Sequence, residues 1–290
     1  MDDKVVLVTG AGGLLGQHLL TVASHEFELH AMVRREPEKR LPSVFYHRID
    51  LAADWKITQL PQKLDAIIHL AQSERFRDFP NSALDVFQVN IDSTARLLDY
   101  ARQVGVSRFV YASSGGVYGR GKMAFSENSP IASPGQLGYY LSSKMCSEML
   151  VQSYASIMRV VVLRPFFIFG PEQNRGMLIP RLMDNVAAKR PVILQGADGI
   201  RINPIHVQDA SRAVLAALTL DQSATFNISG PSILSIREIC EGMGRYLGRD
   251  PVFQFSQEDA HDLIGNNAAM CQQLIAPERN LLDWLGDVAQ

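Results

Sequence analysis

The chain has 290 residues, of which 47% are hydrophobic and 20% charged, and carries a formal charge of −2. That length fits one large domain or two moderate ones with a full core, and the near-neutral charge argues against nucleic acid or an anionic membrane surface as partner. The start "MDDKVVLVTG" runs from two acids straight into a strand, and no apolar run reaches the roughly 20 residues that span a bilayer, so a cytoplasmic protein is expected.

Short β-branched runs alternate with helical patterns through the first half, which predicts βαβ crossovers and a parallel sheet. Strands are expected at "KVVLVTG", "ELHAMVR", "VFYHRID", "AIIHLA", "RFVYASS" and "RVVVLRP", with helices between them at 14–25, 90–104 and 139–155. After Pro165 the pattern becomes irregular, with loops at 170–176 and 196–204, a helix at 207–219, a strand "ATFNIS" and a helix at 235–247. The last 33 residues show little usable pattern. The fold class expected is α/β, a doubly wound Rossmann sheet of residues 1–164 and 203–228, with a smaller α/β substrate domain of residues 165–202 and 229–290. Cys146, Cys240 and Cys271 lack metal-ligand spacing and read as reduced packing residues. No metal site is expected, and His69 in "IIHLA" reads as a packed strand residue.

In "VTGAGGLLGQHLL", Gly10, Gly13 and Gly16 follow the first strand and lead into a helix. Glycines let backbone N–H groups approach a pyrophosphate, and the helix N-terminus adds about half a positive charge. The second strand ends "HAMVRRE". Arg34 and Arg35 offer guanidinium forks to a 2′-phosphate where a carboxylate would select a free hydroxyl, which favours NADP over NAD. Asp50 is placed to accept from the adenine amino group, and "HLA" at 69–71 to line the path of the nucleotide.

In "GYYLSSKMCSEML", residues four apart on a helix share a face, so Tyr140 meets Lys144 and Tyr139 points about a quarter-turn away. An ammonium and an oxidised nicotinamide nearby would lower the phenol from about 10 toward neutrality, letting it exchange a proton with an alcohol as hydride leaves. Ser113 and Ser114 end a neighbouring strand, and Ser114 is expected to hold the reacting oxygen.

Together, "TGAGGLLG", "IDL", "HLA", "VN" with Thr94, "RFVYASSGGVYG", "YYLSSK", "LRPFFIFGP" and "INPIHVQD" resemble the extended short-chain dehydrogenase/reductases over about residues 4–248. That group contains UDP-galactose 4-epimerase and sugar-nucleotide dehydratases and reductases. The resemblance implies Ser114, Tyr140 and Lys144 as catalytic residues. It implies a cofactor set of Gly10, Gly12, Gly13, Leu14, Leu15, Gly16, Arg34, Asp50, Leu51, Leu70, Ala71, Asn90, Ser113 and Pro165, besides Tyr140 and Lys144. Substrate contacts would come from Ser73, Ser114, Gly115, Phe167, Asn174, Met177 and Arg201. A homodimer through helices 90–104 and 139–155 is also implied.

Three positions depart from the family pattern. Phe167 stands where an asparagine is usual, Met177 replaces another asparagine although Asn174 lies close, and Arg201 is five residues before His206 rather than four. Gly115 and Gly116 occupy the positions of the Asp-Glu pair of dehydratases and cannot move protons, which argues against dehydration. The expected activity is 4-epimerisation of a nucleotide-activated sugar, with an NADPH-dependent keto-reductase and a non-catalytic NADP-binding scaffold as alternatives. His206 and Asp209 read as polar anchors of a strand-to-helix junction.

Overall fold

The computed structural model describes residues 4–258 and 260–287. In chain order its first elements are β1 (Lys4–Thr9), α1 (Leu14–Ala23), β2 (Phe27–Val33), β3 (Val44–Arg48), β4 (Ala66–His69) and α2 (Ala83–Val86). A π-helical turn, Phe87–Asp92, leads into α3 (Ser93–Val104), followed by β5 (Arg108–Ala112), α4 (Pro134–Ser153) and β6 (Arg159–Pro165). Then come β7 (Ile168–Phe169), α5 (Leu178–Ala187), β8 (Val192–Gln195), β9 (Arg201–Ile202), β10 (Ile205–His206), α6 (Val207–Ala217) and β11 (Ala224–Ile228). The remainder is β12 (Leu234–Ser235), α7 (Ile236–Leu247), β13 (Phe253–Ser256), α8 (Ala268–Gln273) and α9 (Leu281–Asp287). None of the described helices is long and apolar enough to cross a membrane.

The chain divides into two compact units, Met1–Val117 with Ile131–Arg164 and Ser211–Phe226, and Tyr118–Pro130 with Pro165–Ala210 and Asn227–Gln290. The large sheet runs in the order β3-β2-β1-β4-β5-β6-β11. β1 to β6 pair in parallel, so the α/β doubly wound class is observed. Strands covered on both faces read as continuous apolar runs, and β1 is buried at Val6, Leu7 and Val8. Its core joins Leu7, Ile67, Phe109 and Val162 of the sheet to Leu97, Leu98 and Tyr100 of α3. β1 and β4 are neighbours although the chain leaves them in opposite directions, and the carboxyl ends of such a switch point are where ligands bind in open α/β sheets.

Two of the expected helices differ in detail. The segment expected as a helix from residue 90 instead passes through the π-helical turn before α3 begins at Ser93. α4 starts earlier than expected, at Pro134 behind a Ser133–Gln136 capping box, and breaks at Gly138, whose φ of 64° and ψ of −179° no helix contains. The uniform helix thus begins at Tyr139.

The second unit has its own core, built from Phe169, Ile179, Leu182, Val186, Leu194, Ile202, Ile239 and Met243. Its strands are paired in two-stranded sheets of two to four residues each, β10-β7, β12-β9 and β13-β8. Most of these were not visible in the sequence. Of the three cysteines only Cys240 is buried; Cys146 and Cys271 are exposed, which corrects the reading of all three as packing residues. None is disulfide-bonded.

Candidate active site

The glycine loop closes on the end of β4. Gly10 takes φ +68°, and a Cβ there would lie 2.6 Å from the Ala71 nitrogen. At Gly16 a Cβ would overlap the Gly10 carbonyl oxygen, so the loop packs only with hydrogen at both positions. Gly12 and Gly13 are exposed, and nothing stands within 4 Å of a Cβ built on Gly12. α1 starts after Gly13 with no side-chain cap, which leaves its first N–H groups to an incoming anion. Leu14, Leu15 and Leu70 are half-buried beside the loop, and Ala71 is buried. Asp50 is exposed, its Oδ1 accepting from Ala52 N at 3.0 Å, whereas Leu51 belongs to the core. Arg34 follows β2 and donates to Glu74 Oε2 at 2.6 Å.

Behind this rim lies a buried polar chain. Thr94 donates to the Asn90 carbonyl, so its hydroxyl accepts from His69 Nε2 at 2.9 Å; His69 Nδ1 then accepts from Thr9 at 2.6 Å. Burial pushes His69 down to about 3, and it stays neutral. Asn90, in the π-helical turn, accepts from Ser73 N at 2.9 Å and donates to Ser143 Oγ at 2.8 Å. The Ser73 hydroxyl donates to Asp85, so Ser73 serves this turn.

On α4 the expected quarter-turn is present. Tyr139 stacks on Phe79 at 4.9 Å, while Tyr140 leans on Phe76 at 4.7 Å and donates to Gln72 Oε1 at 2.7 Å. Lys144, 1% exposed, donates to the Ala112 carbonyl at 2.9 Å, at the end of β5. Two residues on, Ser114 is half-buried and its Oγ accepts from Gly116 N at 3.1 Å. Gly116 in turn faces Leu141, and a Cβ there would lie 3.0 Å from the leucine, which sets the serine turn against the residue after Tyr140. Buried Gly115 opens that turn. The Ser113 hydroxyl is buried and has no hydrogen-bond partner among the described residues.

The electrostatics differ from expectation. Burial pushes the Tyr140 phenol above its ordinary value, with Arg77 pulling it back. Lys144 is itself lowered to about 7 by burial, partly offset by Glu148 one turn further along. Glu148 is buried and accepts from Arg164 Nε at 3.1 Å and Nη2 at 2.7 Å. A lysine that releases its proton near 7 carries no charge where a phenol titrates, so the expected acidification is not found.

The second unit holds the other expected residues. Phe167 adopts φ 48°, an outlier for a bulky side chain, and packs against the core of that unit. Asn174 is exposed and its Oδ1 accepts from Gly176 N, while Met177 is the N-cap of α5 and half-buried, as is Pro165. Arg201 is held by Asp262, its Nη2 2.6 Å and Nε 2.9 Å from Oδ2. A cavity of about 400 Å³ is lined by Leu178, Leu182, Val192 and Ile200, by the cations Arg120 and Arg181, and by the carboxylate of Glu258. Neither arginine has an acidic partner among the described residues. His206 stacks edge-on against Phe169 at 5.2 Å, and Asp209 accepts from the Glu278 and Arg279 amides, which makes both structural anchors.

The family profile described as NAD dependent epimerase/dehydratase matches residues 6–229, most of the chain. The chain belongs to this family. Among its relatives is an uncharacterised UDP-glucose epimerase, YtcB, of Bacillus subtilis, 27% identical over 88% of this chain and 86% of that one. A GDP-6-deoxy-D-mannose reductase of Pseudomonas aeruginosa is 30% identical over 81% of this chain and 78% of its own. The solved structure of MoeE5 in complex with UDP-glucuronic acid and NAD superposes with TM-score 0.83 at 27% identity, covering 97% of this chain and 96% of that one.

The glycine loop, the uncapped α1 terminus and the orphaned Ser113 hydroxyl suit the dinucleotide of an epimerase/dehydratase-family protein. Sequence reasoning missed Gln72, Glu148, Asp262, Arg120 and Arg181. Gln72 directly follows the quoted "HLA", and Glu148 stands at the next helical interval after Tyr140 and Lys144, so those two had a local signal. Asp262 pairs across 61 residues and had none.

Proposed function

We propose that this chain epimerises a nucleoside-diphosphate sugar at the ring 4-position with a bound NAD(P). The observation that carries the reading is the arrangement of Tyr140, Lys144 and Ser114 on one rim, with Gly115 and Gly116 where elimination would require an acid and a base. A dinucleotide held by the glycine loop would supply the hydride acceptor and donor. Tyr140 takes the proton of the reacting hydroxyl and gives it back to the ketone, and Ser114 holds the same oxygen. Lys144 binds the ribose hydroxyls from its buried position. Because burial raises the phenol, Tyr140 becomes a base only with added positive charge beside it, supplied by Lys144 when protonated and by the oxidised cofactor.

The apolar cavity with two guanidinium groups supports a base and a diphosphate as the substrate's handle, with Arg120 and Arg181 on the phosphates. Arg34 supports NADP, at the cost of displacing Glu74; NAD in the solved structures of related proteins supports NAD. Exposed Met149 on α4 supports a homodimer through helices 90–104 and 139–155, and a cytoplasmic location is part of the reading.

Purified chain is incubated with UDP-glucose, UDP-glucuronate and UDP-N-acetylglucosamine at substoichiometric cofactor. Appearance of the C4 epimer without net change in reduced cofactor is expected. Stoichiometric NADPH consumption with a 4-keto substrate would establish the second reading, a keto-reductase, which Arg34 and the reductase relative favour.

A further inference from the structure

Among the described residues, the partner bonded to the Tyr140 oxygen is Gln72, three positions after β4. The phenol donates to its amide oxygen at 2.7 Å. A bond given by the neutral acid stabilises its protonated form and raises its pKa. The backbone at this point is fixed independently: Ser73 N donates to Asn90, Asp78 N to the Arg75 carbonyl, and the Ser82 hydroxyl to Asp78 at 2.7 Å. The carboxamide is therefore presented to Tyr140 by an anchored turn. Other titratable or charged groups that act on the phenol are Arg77 from the same turn, whose charge lowers it, and Tyr111 on β5, over whose ring Lys144 Nζ of α4 lies at 5.3 Å. The Phe76 ring packs against the Tyr140 ring at 4.7 Å and adds no charge.

We propose that Gln72 is a positioning residue for Tyr140: its amide oxygen holds the phenol protonated and aimed in the ligand-free chain, and a substrate oxygen must take over that hydrogen bond before proton transfer begins. The proposal rests on the reading of Tyr140 as the proton-transferring group. It has a consequence for selection, since a ligand without an oxygen at the reacting carbon leaves the Tyr140–Gln72 bond in place.

The test follows the titration of Tyr140 in chain loaded with oxidised cofactor, by NMR of tyrosine labelled with carbon-13 at Cζ, with Tyr140→Phe assigning the resonance. Gln72→Leu removes the acceptor and lowers the midpoint by about half to one pH unit. Gln72→Glu keeps the reach, accepts and adds negative charge, and raises the midpoint by about one unit or more. Gln72→Asn, one methylene too short, moves it as Leu does and serves if the leucine variant fails to fold. The pH profile of kcat/KM moves with the midpoint in each variant. Unmoved midpoints, or shifts of one sign in both Leu and Glu variants, overturn the assignment. Opposite shifts in a chain that turns over no nucleotide sugar uphold Gln72 and remove the epimerase reading; turnover with unmoved midpoints does the reverse.

Discussion

Lys144 lies 1% exposed on α4, bound to the Ala112 carbonyl and 5.3 Å from the centre of the Tyr111 ring. Burial lowers it from 10.5 to about 7. The unfolded chain keeps this proton up to about 10.5 and the folded chain releases it near 7, so stability rises with pH through that window. The cost of holding the ammonium is complete below 7 and absent above 10.5. Between pH 7 and pH 9 this group should add roughly 2 to 3 kcal/mol of stability. Lys144→Met should abolish the rise, as urea unfolding at the two pH values would record; an identical rise in the variant would place the titration elsewhere. The face shared by Tyr140 and Lys144 was legible from their four-residue spacing. Their charges were not, because desolvation depends on what β4 and β5 pack over them, and no local pattern gives that.

At the scale of elements, the loop between β1 and α1 requires two different things of its glycines. Gly16 lies against Gly10 in the packed interior of the loop, and Gly12 faces open space. Gly16→Ala should therefore displace the loop and weaken dinucleotide binding by about tenfold or more, on the order of 1.4 kcal/mol. Gly12→Ala should leave the melting temperature unchanged, because its methyl group meets nothing. Calorimetric titration with NAD and a thermal scan of both variants check the contrast. The cradle itself was legible, because glycine spacing after a strand and before an apolar helix encodes backbone approach directly. The π-helical turn at Phe87–Asp92 was not: its Asn90 is buried by contacts to Ser73 and Ser143, far away in sequence, and only those contacts justify the extra residue in the turn. Nor were β7, β9, β10 and β12, whose two residues are too few to show a period.

For the molecule as a whole, the alternation of strands and helices encoded the doubly wound sheet, since each apolar run had to be covered on both faces. The second unit was harder to read. Arg201 could be named from its place before "IHV", but Asp262, which occupies its guanidinium, lies in a C-terminal segment without periodicity. Global stability in acid should depend on His69, buried between Thr9 and Thr94 and held at about 3. The unfolded chain binds this proton near 6.5, so each pH unit between about 6.5 and 3 should remove about 1.4 kcal/mol from the fold. His69→Gln should move the acid-unfolding midpoint to lower pH, followed by circular dichroism; a midpoint that stays in place would mean that other groups govern acid unfolding.

Proton exchange at the Tyr140 oxygen is the step from which the proposed chemistry follows, and Tyr140→Phe tests it most directly. With UDP-sugar substrate, the variant should form the C4 epimer roughly a hundredfold to ten-thousandfold more slowly than the unaltered chain while binding NAD with the same affinity. Epimer formation at an undiminished rate would contradict the account.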